Sequence, residues 1–189
     1  LEKAGAASTD AASGAHWFCE AATVWTTSLN DPHRAARALM NAVDKDPASG
    51  VAPERLAELY REKGDMKGIA ALHDRRVRTL EKTIAQTPEL KPMLASIYIE
   101  LARLFAEDLA QPEKAADAYR KAADHNPSDV YDIYQAREAL KNLGRFVDAI
   151  PYFAAEQALI VGDVERQKAL YLDEADVAQK ANKAADVVR

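Results

Sequence analysis

Apolar residues recur along this chain at helical spacing, in stretches cut by short polar breaks. Trp17, Phe18, Ala21, Ala22 and Trp25 fall at i, i+3 and i+4 intervals, one face of a helix. Asn30-Asp31-Pro32 interrupts the pattern, and Ala35, Leu39 and Ala42 resume it up to Asp46-Pro47. This predicts a helical hairpin over about 15–48. A second spans about 50–86, with Pro53 suited to a first helical turn and Leu56, Ala57, Leu59 and Tyr60 as its stripe. Gly64-Asp65 turns the chain, and Ile69, Leu72, Val77, Leu80 and Ile84 predict a return helix reaching Gln86. Thr87-Pro88 and Lys91-Pro92 mark a longer connection.

A third hairpin spans about 93–128, with Ile97, Tyr98, Leu101, Ala102 and Phe105 on one helix and Ala115, Tyr119 and Ala122 on the next. The fourth spans about 129–162: Ile133, Ala136, Arg137 and Leu140, a turn at Gly144, then Phe146, Ala149, Ile150 and Phe153. Pro151 predicts a kink or a late helix start. A fifth helix runs from about Asp163 to Lys180, and the stub after Asn182 reads as the first turns of a partner, closing a partial unit at 163–189. On this pattern the chain is expected to be cut from a longer array. Residues 1–14 read as a tail or the end of a preceding helix, with Ser8, Thr9 and Asp10 as N-cap candidates. No stretch alternates as a strand would, so the expected class is all-α.

The hairpins repeat. Displaced by 80 residues, the chain matches itself from about 20 to 64: Leu29 falls on Leu109, Pro32 on Pro112, Asp44 on Asp124, Pro47 on Pro127 and Gly64 on Gly144. Repetition on this scale means stacked supersecondary units. The repeating block is a pair of hairpins, and both copies carry one extra residue before their first proline turn.

Composition agrees with helix. Alanine dominates, followed by other strong helix formers, while the 7 glycines and 8 prolines gather at the breaks. The net charge is −5 with both signs interspersed, which argues against a nucleic-acid surface, since that needs clustered Lys and Arg. No apolar run approaches the length of a membrane span. There is no signal peptide, though the chain begins at Leu1 rather than Met. A single cysteine, Cys19, cannot form an internal disulfide, which fits a reducing, cytoplasmic compartment.

Catalytic signals are absent from the sequence. The four histidines, His16, His33, His73 and His125, are scattered. His16 and Cys19 could share a helix face, but two ligands fall short of the four of a structural zinc site, and an ordinary surface pair is the competing account. There is no phosphate loop, metalloprotease helix or nucleophile elbow. Glu107-Asp108 and Asp173-Glu174 fit solvated helix faces. We therefore expect no catalytic residue, no metal and no cofactor. Arg75-Arg76-Val77-Arg78 with Lys82 reads either as an anion site or, given Asp74 and Glu81, as a solvated face.

A small–large–proline rule runs through the hairpins: Ala102, Phe105, Ala115, Tyr119, Ala122 and Pro127 in the third, and Ala22, Trp25, Ala35, Leu39, Ala42 and Pro47 in the first. This resembles the tetratricopeptide repeat family over about residues 15–180. Departures are Ile69 and His73 in the second hairpin and Arg137 in the fourth. The resemblance implies a right-handed α-solenoid of about 4–5 stacked helix–turn–helix hairpins, with ligands along the face formed by first helices. By that resemblance His16, Cys19 and Thr23, then Glu54, Glu58, Arg61 and Glu62, then Ser96, Ile99 and Arg103, and last Tyr131, Tyr134, Glu138, Lys141 and Asn142 line the groove. The partner-binding candidates drawn from these are Glu54, Glu58, Arg61, Arg103, Tyr131, Tyr134, Glu138, Lys141 and Asn142. Tyrosine combines contact area with a polar tip, while packing against a neighbouring hairpin is the competing account of Tyr131 and Tyr134. Some family members hold a carboxylate with a Lys and Asn one turn apart; Lys141 and Asn142 are adjacent instead. The expected function is a non-catalytic scaffold binding a peptide or helix of a partner protein. The alternatives are a self-assembling segment that forms homo-oligomers near Trp17, Phe18 and Trp25, and the docking region of a larger enzyme.

Overall fold

The computed structural model describes the backbone of residues 1–187 and the side chains of residues 1–182; residues 188–189, at the end of the expected partial unit, lie outside the described residues. The protein is all-helical, with no strand among the described residues. In chain order the helices are α1 (Glu2–Ala7), α2 (Ala11–Thr27), α3 (Pro32–Lys45), α4 (Val51–Glu62) and α5 (Met66–Glu81), then α6 (Lys91–Arg103), α7 (Pro112–His125), α8 (Val130–Asn142), α9 (Phe146–Leu159) and α10 (Val164–Val187). Among the described residues no helix is long and apolar enough to cross a membrane.

The chain forms two compact units, Leu1–Met93 and Leu94–Arg189. The division falls in the first turn of α6, at the seam of the 80-residue duplication. In the first unit α2 packs on α3, α3 on α4 and α4 on α5. The small positions are filled as the repeat rule requires: Ala22, Ala35 and Ala42 are fully enclosed beside Leu39, because a methyl side chain lets two helix backbones approach and a bulky neighbour fills the groove. Trp17 departs from the expected apolar face and is 40% exposed, since it lies one residue around the helix from Phe18, which takes the buried place. The short α1 rests on α2: Trp25 Nε1 donates to Glu2 Oε1 at 2.7 Å, and Lys45 Nζ donates to the Ser8 carbonyl at 3.0 Å.

In the second unit α7 packs on α8, α8 on α9 and α9 on α10. Phe153 anchors a core with Leu140, Ile160, Leu170 and Val177. Lys121 ties α7 to α6 by donating to the Tyr98 hydroxyl at 3.2 Å.

Local chemistry explains the ends of the helices. Asp10, Asp31, Asp65, Asp129 and Asp163 each accept a backbone N–H from the first turn that follows, satisfying an otherwise orphaned donor. The second hairpin of each copy turns at a glycine in the left-handed region, φ +67° at Gly64 and +71° at Gly144. Gly64 N–H donates to Arg61 and Asp65 N–H to Tyr60, and the same bonds recur 80 residues later as Gly144 to Lys141 and Arg145 to Leu140. These are Schellman closures.

The extra residue of the first and third hairpins has its own solution. Leu29 N–H reaches back five residues to Val24 and Asp31 N–H six residues to Trp25; Leu109 to Leu104 and Gln111 to Phe105 repeat the pattern. The helix ends in a widened turn, formally a π-helix over Leu104–Asp108, and closes through Asn30 (φ +48°) or Ala110 (φ +49°). Asparagine tolerates that conformation; alanine is strained by about 1 kcal/mol. Ala110→Gly is expected to raise stability by about 0.5–1 kcal/mol, read from the denaturant midpoint, and a loss of stability would refute the strain.

Three elements differ from the sequence expectation. α5 stops at Glu81 rather than Gln86: beyond it the backbone tightens into turns, with Thr83 N–H and Gln86 N–H reaching back only three residues to the carbonyls of Leu80 and Thr83, just before Pro88. α9 begins at Phe146 with Pro151 inside it, so there is no late start. α10 runs through Asn182 to Val187, carried by strong helix formers on either side.

Candidate interaction surface on the second unit

The expected groove residues fall on both compact units. Glu54, Glu58 and Arg61 lie in the first, at i, i+4 and i+7 on α4, and all three are exposed. Nearby, Cys19 and Thr23 are not open: Arg55 reaches from α4 to donate to the Cys19 carbonyl at 3.1 Å and the Thr23 hydroxyl at 2.9 Å. Cys19 is buried, and burial pushes its thiol up, which makes it inert. His16 sits beside Trp17, and no group of three or more potential metal ligands occurs among the described residues. The arginine cluster divides: Arg75 pairs with Asp44 at 2.6 Å and Arg78 with Asp74 at 2.6 Å, whereas Arg76 turns inward to the carbonyls of Pro47 and Ser49. Arg76 thus fills a position that is small in the first and third hairpins, Ala42 and Ala122, and is Glu156 in the fourth. Beside it His73 is buried, and its imidazole is lowered to about 4 by burial, Arg76 and Arg61.

The second unit brings Arg103 and Tyr131 together. Arg103 Nη2 on α6 donates to the Tyr131 hydroxyl on α8 at 3.1 Å; the bond raises the guanidinium above its usual range. Position 103 is the counterpart of Thr23, so each copy ties its two first helices at the same place. Tyr119 stands alongside, half-buried, its phenol raised by burial. Tyr131 and Tyr134 are 46% and 40% exposed, so neither is absorbed into a neighbouring hairpin. The Tyr134 ring lies 5.4 Å from the Arg137 guanidinium carbon, and the Phe153 ring lies 4.6 Å from it on the inner side.

Beneath Tyr134 runs an ion network joining three helices. Arg137 is 4% exposed and Glu156 2%, and Arg137 Nε donates to Glu156 Oε2 at 3.0 Å. Arg137 also bonds Asp173, and it pairs with Glu138 at 2.9 Å. Lys141 donates to Glu138 at 2.9 Å and to Asp173 at 2.5 Å, and Arg166 to Glu156 at 2.9 Å. Three cations balance three carboxylates, as burial requires. Lys141 is therefore a half-buried link between α8 and α10, and Glu138 is held against Arg137 and Lys141 of its own helix, while Asn142 stays exposed at the end of α8.

The sequence flagged Arg137 as a departure and overlooked Glu156. A signal was present. Glu156 stands three residues after Phe153, where the rule puts a second small residue. Opposite charges at two of the three small positions of one hairpin, with Ala149 at the third, point to a buried pair.

No protein-family model and no curated protein matches the chain. Many solved structures resemble it, among them three that match over most of their length. One titled "Crystal structure of MamA" is 17% identical, covers 82% of this chain and 80% of its own, and has a TM-score of 0.45. A second, "Crystal structure of MamA protein", is 16% identical, covers 89% and 90%, and scores 0.40. A third, "MamA MSR-1 C2", is 19% identical, covers 93% and 98%, and scores 0.37.

Proposed function

We propose that this chain is a non-catalytic interaction scaffold of the tetratricopeptide type, which holds a peptide or helix of a partner protein on the first helices of its hairpins. The observation that carries the reading is the exposed pair Tyr131 and Tyr134, each braced by an arginine. A tyrosine fixed before binding loses little rotamer freedom when a partner arrives and offers both a ring and a hydroxyl. In this reading Arg103, Tyr131 and Tyr134 make the main contacts and Asn142 lies at the edge. Glu138 and Lys141 hold α8 in register. Glu54, Glu58 and Arg61 form a separate charged stripe on the first unit that a partner touches independently.

Peptides selected from a displayed library against the whole chain supply the test. Tyr131→Ala with Tyr134→Ala is expected to weaken them by about 2 kcal/mol or more, roughly thirty-fold, with the helical circular dichroism unchanged. Equal affinity for the double variant and the wild type would remove this surface from the proposal.

A further inference from the structure

Between α7 and α9 the second unit carries a cleft of about 710 Å³, and neither Tyr131 nor Tyr134 lines it. Its floor is apolar, built on Ala123 and Ile133, with Val147, Pro151, Tyr152 and Ala155 as walls. The size suits a small ligand or a peptide side chain with its neighbours. Val147 is 66% exposed at its edge, a large apolar surface to leave in water on a first helical turn.

Three features set the chemistry of this cleft. Pro151 has no N–H, so the Val147 carbonyl four residues earlier lacks its helical donor. The second feature is charge. Arg145 is shared by Asp148 at 2.9 Å, Asp117 at 3.1 Å and Glu113 at 3.8 Å, and Arg120 stands 3.7 Å from Asp124. Arg120 and Arg145 line the cleft together with Asp124 and Asp148, while Asp117 and Glu113 add two carboxylates on Arg145 just beyond the lining. The remaining cations of α7 turn to its other side, Lys114 over Phe105 and Lys121 over Tyr98. The third feature is Tyr152, whose phenol is pushed up to about 12, first by burial and then by Asp124. It stays neutral, and its ring is a surface on which a cation can rest.

We propose that this cleft takes a segment of a partner protein in which an apolar side chain adjoins a lysine or arginine. The apolar group fills the floor over Ala123 and Ile133. The cation rests against Tyr152 and reaches Asp124 or Asp148, and a backbone N–H of the segment donates to the Val147 carbonyl. The two further carboxylates on Arg145, Asp117 and Glu113, tip the local charge against an acidic segment. Its lining shares only α8 with Tyr131 and Tyr134, through Ile133, and contains neither of them nor Arg103, so either surface can fail without the other.

Acetyl-Leu-Arg-amide is the probe, titrated into the 15N-labelled chain, with acetyl-Leu-Glu-amide as its counterpart. The arginine probe is expected to shift the amide signals of Ala123, Asp124, Val147 and Tyr152 with millimolar affinity, and to weaken as salt is raised. Asp124→Asn with Asp148→Asn should weaken it about five-fold or more. Ala155→Leu, which fills the cleft, should abolish the shifts. A glutamate probe that binds as well, shifts confined to other helices, an unchanged affinity in the Asn variant, or no shift at tens of millimolar probe would each overturn the proposal.

Discussion

Glu156→Ala is expected to destabilise the protein by about 3–5 kcal/mol, read as a fall in the urea midpoint. The carboxylate is 2% exposed and accepts from Arg137 and Arg166. Its removal leaves the buried Arg137 guanidinium with only Asp173 and Glu138, on one side of a site closed by Phe153. A buried charge stripped of its partner loses hydration without compensation, and that penalty exceeds anything the pair contributes over a neutral replacement. The same asymmetry fixes the second half of the experiment. Arg137→Ala alone should also be costly, whereas Arg137→Ala with Glu156→Ala, which restores the small–small arrangement of the first and third hairpins, should cost less than the two singles summed. A coupling of about 1–3 kcal/mol is expected from the double-mutant cycle. Additive losses, or a single-variant cost below about 1 kcal/mol, would mean that the pair is solvated.

Ala122→Leu and Ala102→Leu are expected to destabilise by about 1–3 kcal/mol each through overpacking. Both alanines are wholly inaccessible, and they occupy the positions where helix backbones come nearest. Three added carbons have no void to enter, so the helices must separate or the leucine must leave its preferred rotamers. Ala154→Leu on the exposed side of α9 is the control, with a change within about 0.5 kcal/mol. Equal melting temperatures for the three variants would refute the packing assigned to the small positions.

Much of this architecture is written locally. The aspartate caps, the left-handed turns at Gly64 and Gly144, and the prolines at Pro32 and Pro112 act over three to six residues, so the hairpins and their 80-residue duplication could be read from spacing. The widened turns belong in the same class. One extra residue before each proline demanded some irregularity, although its form, a five- and six-residue reach closing at Asn30 or Ala110, was not predicted. The end of α5 was missed because the apolar period continues to Ile84, while the backbone already tightens into turns ahead of Pro88.

The candidate surfaces were legible only in part. Exposure of Tyr131 and Tyr134 follows from helical period, and so does the position of Arg103, but the bond between Arg103 and Tyr131 spans 28 residues. Lys141 and Glu138 carried the right period for a groove, but Lys141 is drawn into the ion network by Asp173, 32 residues beyond it, and Glu138 follows through Lys141 and Arg137. The cleft between α7 and α9 left no motif, because its lining residues come from three helices and two turns.

The sequence by itself determined the helices, their turns and the pairing of hairpins into two blocks, because backbone propensity, capping and apolar period are properties of neighbouring residues. Only the tertiary structure decided which charges are buried partners and which remain at the surface. That choice depends on which helix faces meet across a hairpin stack, and the free energy of a charge is set by the groups packed around it rather than by its neighbours in the chain.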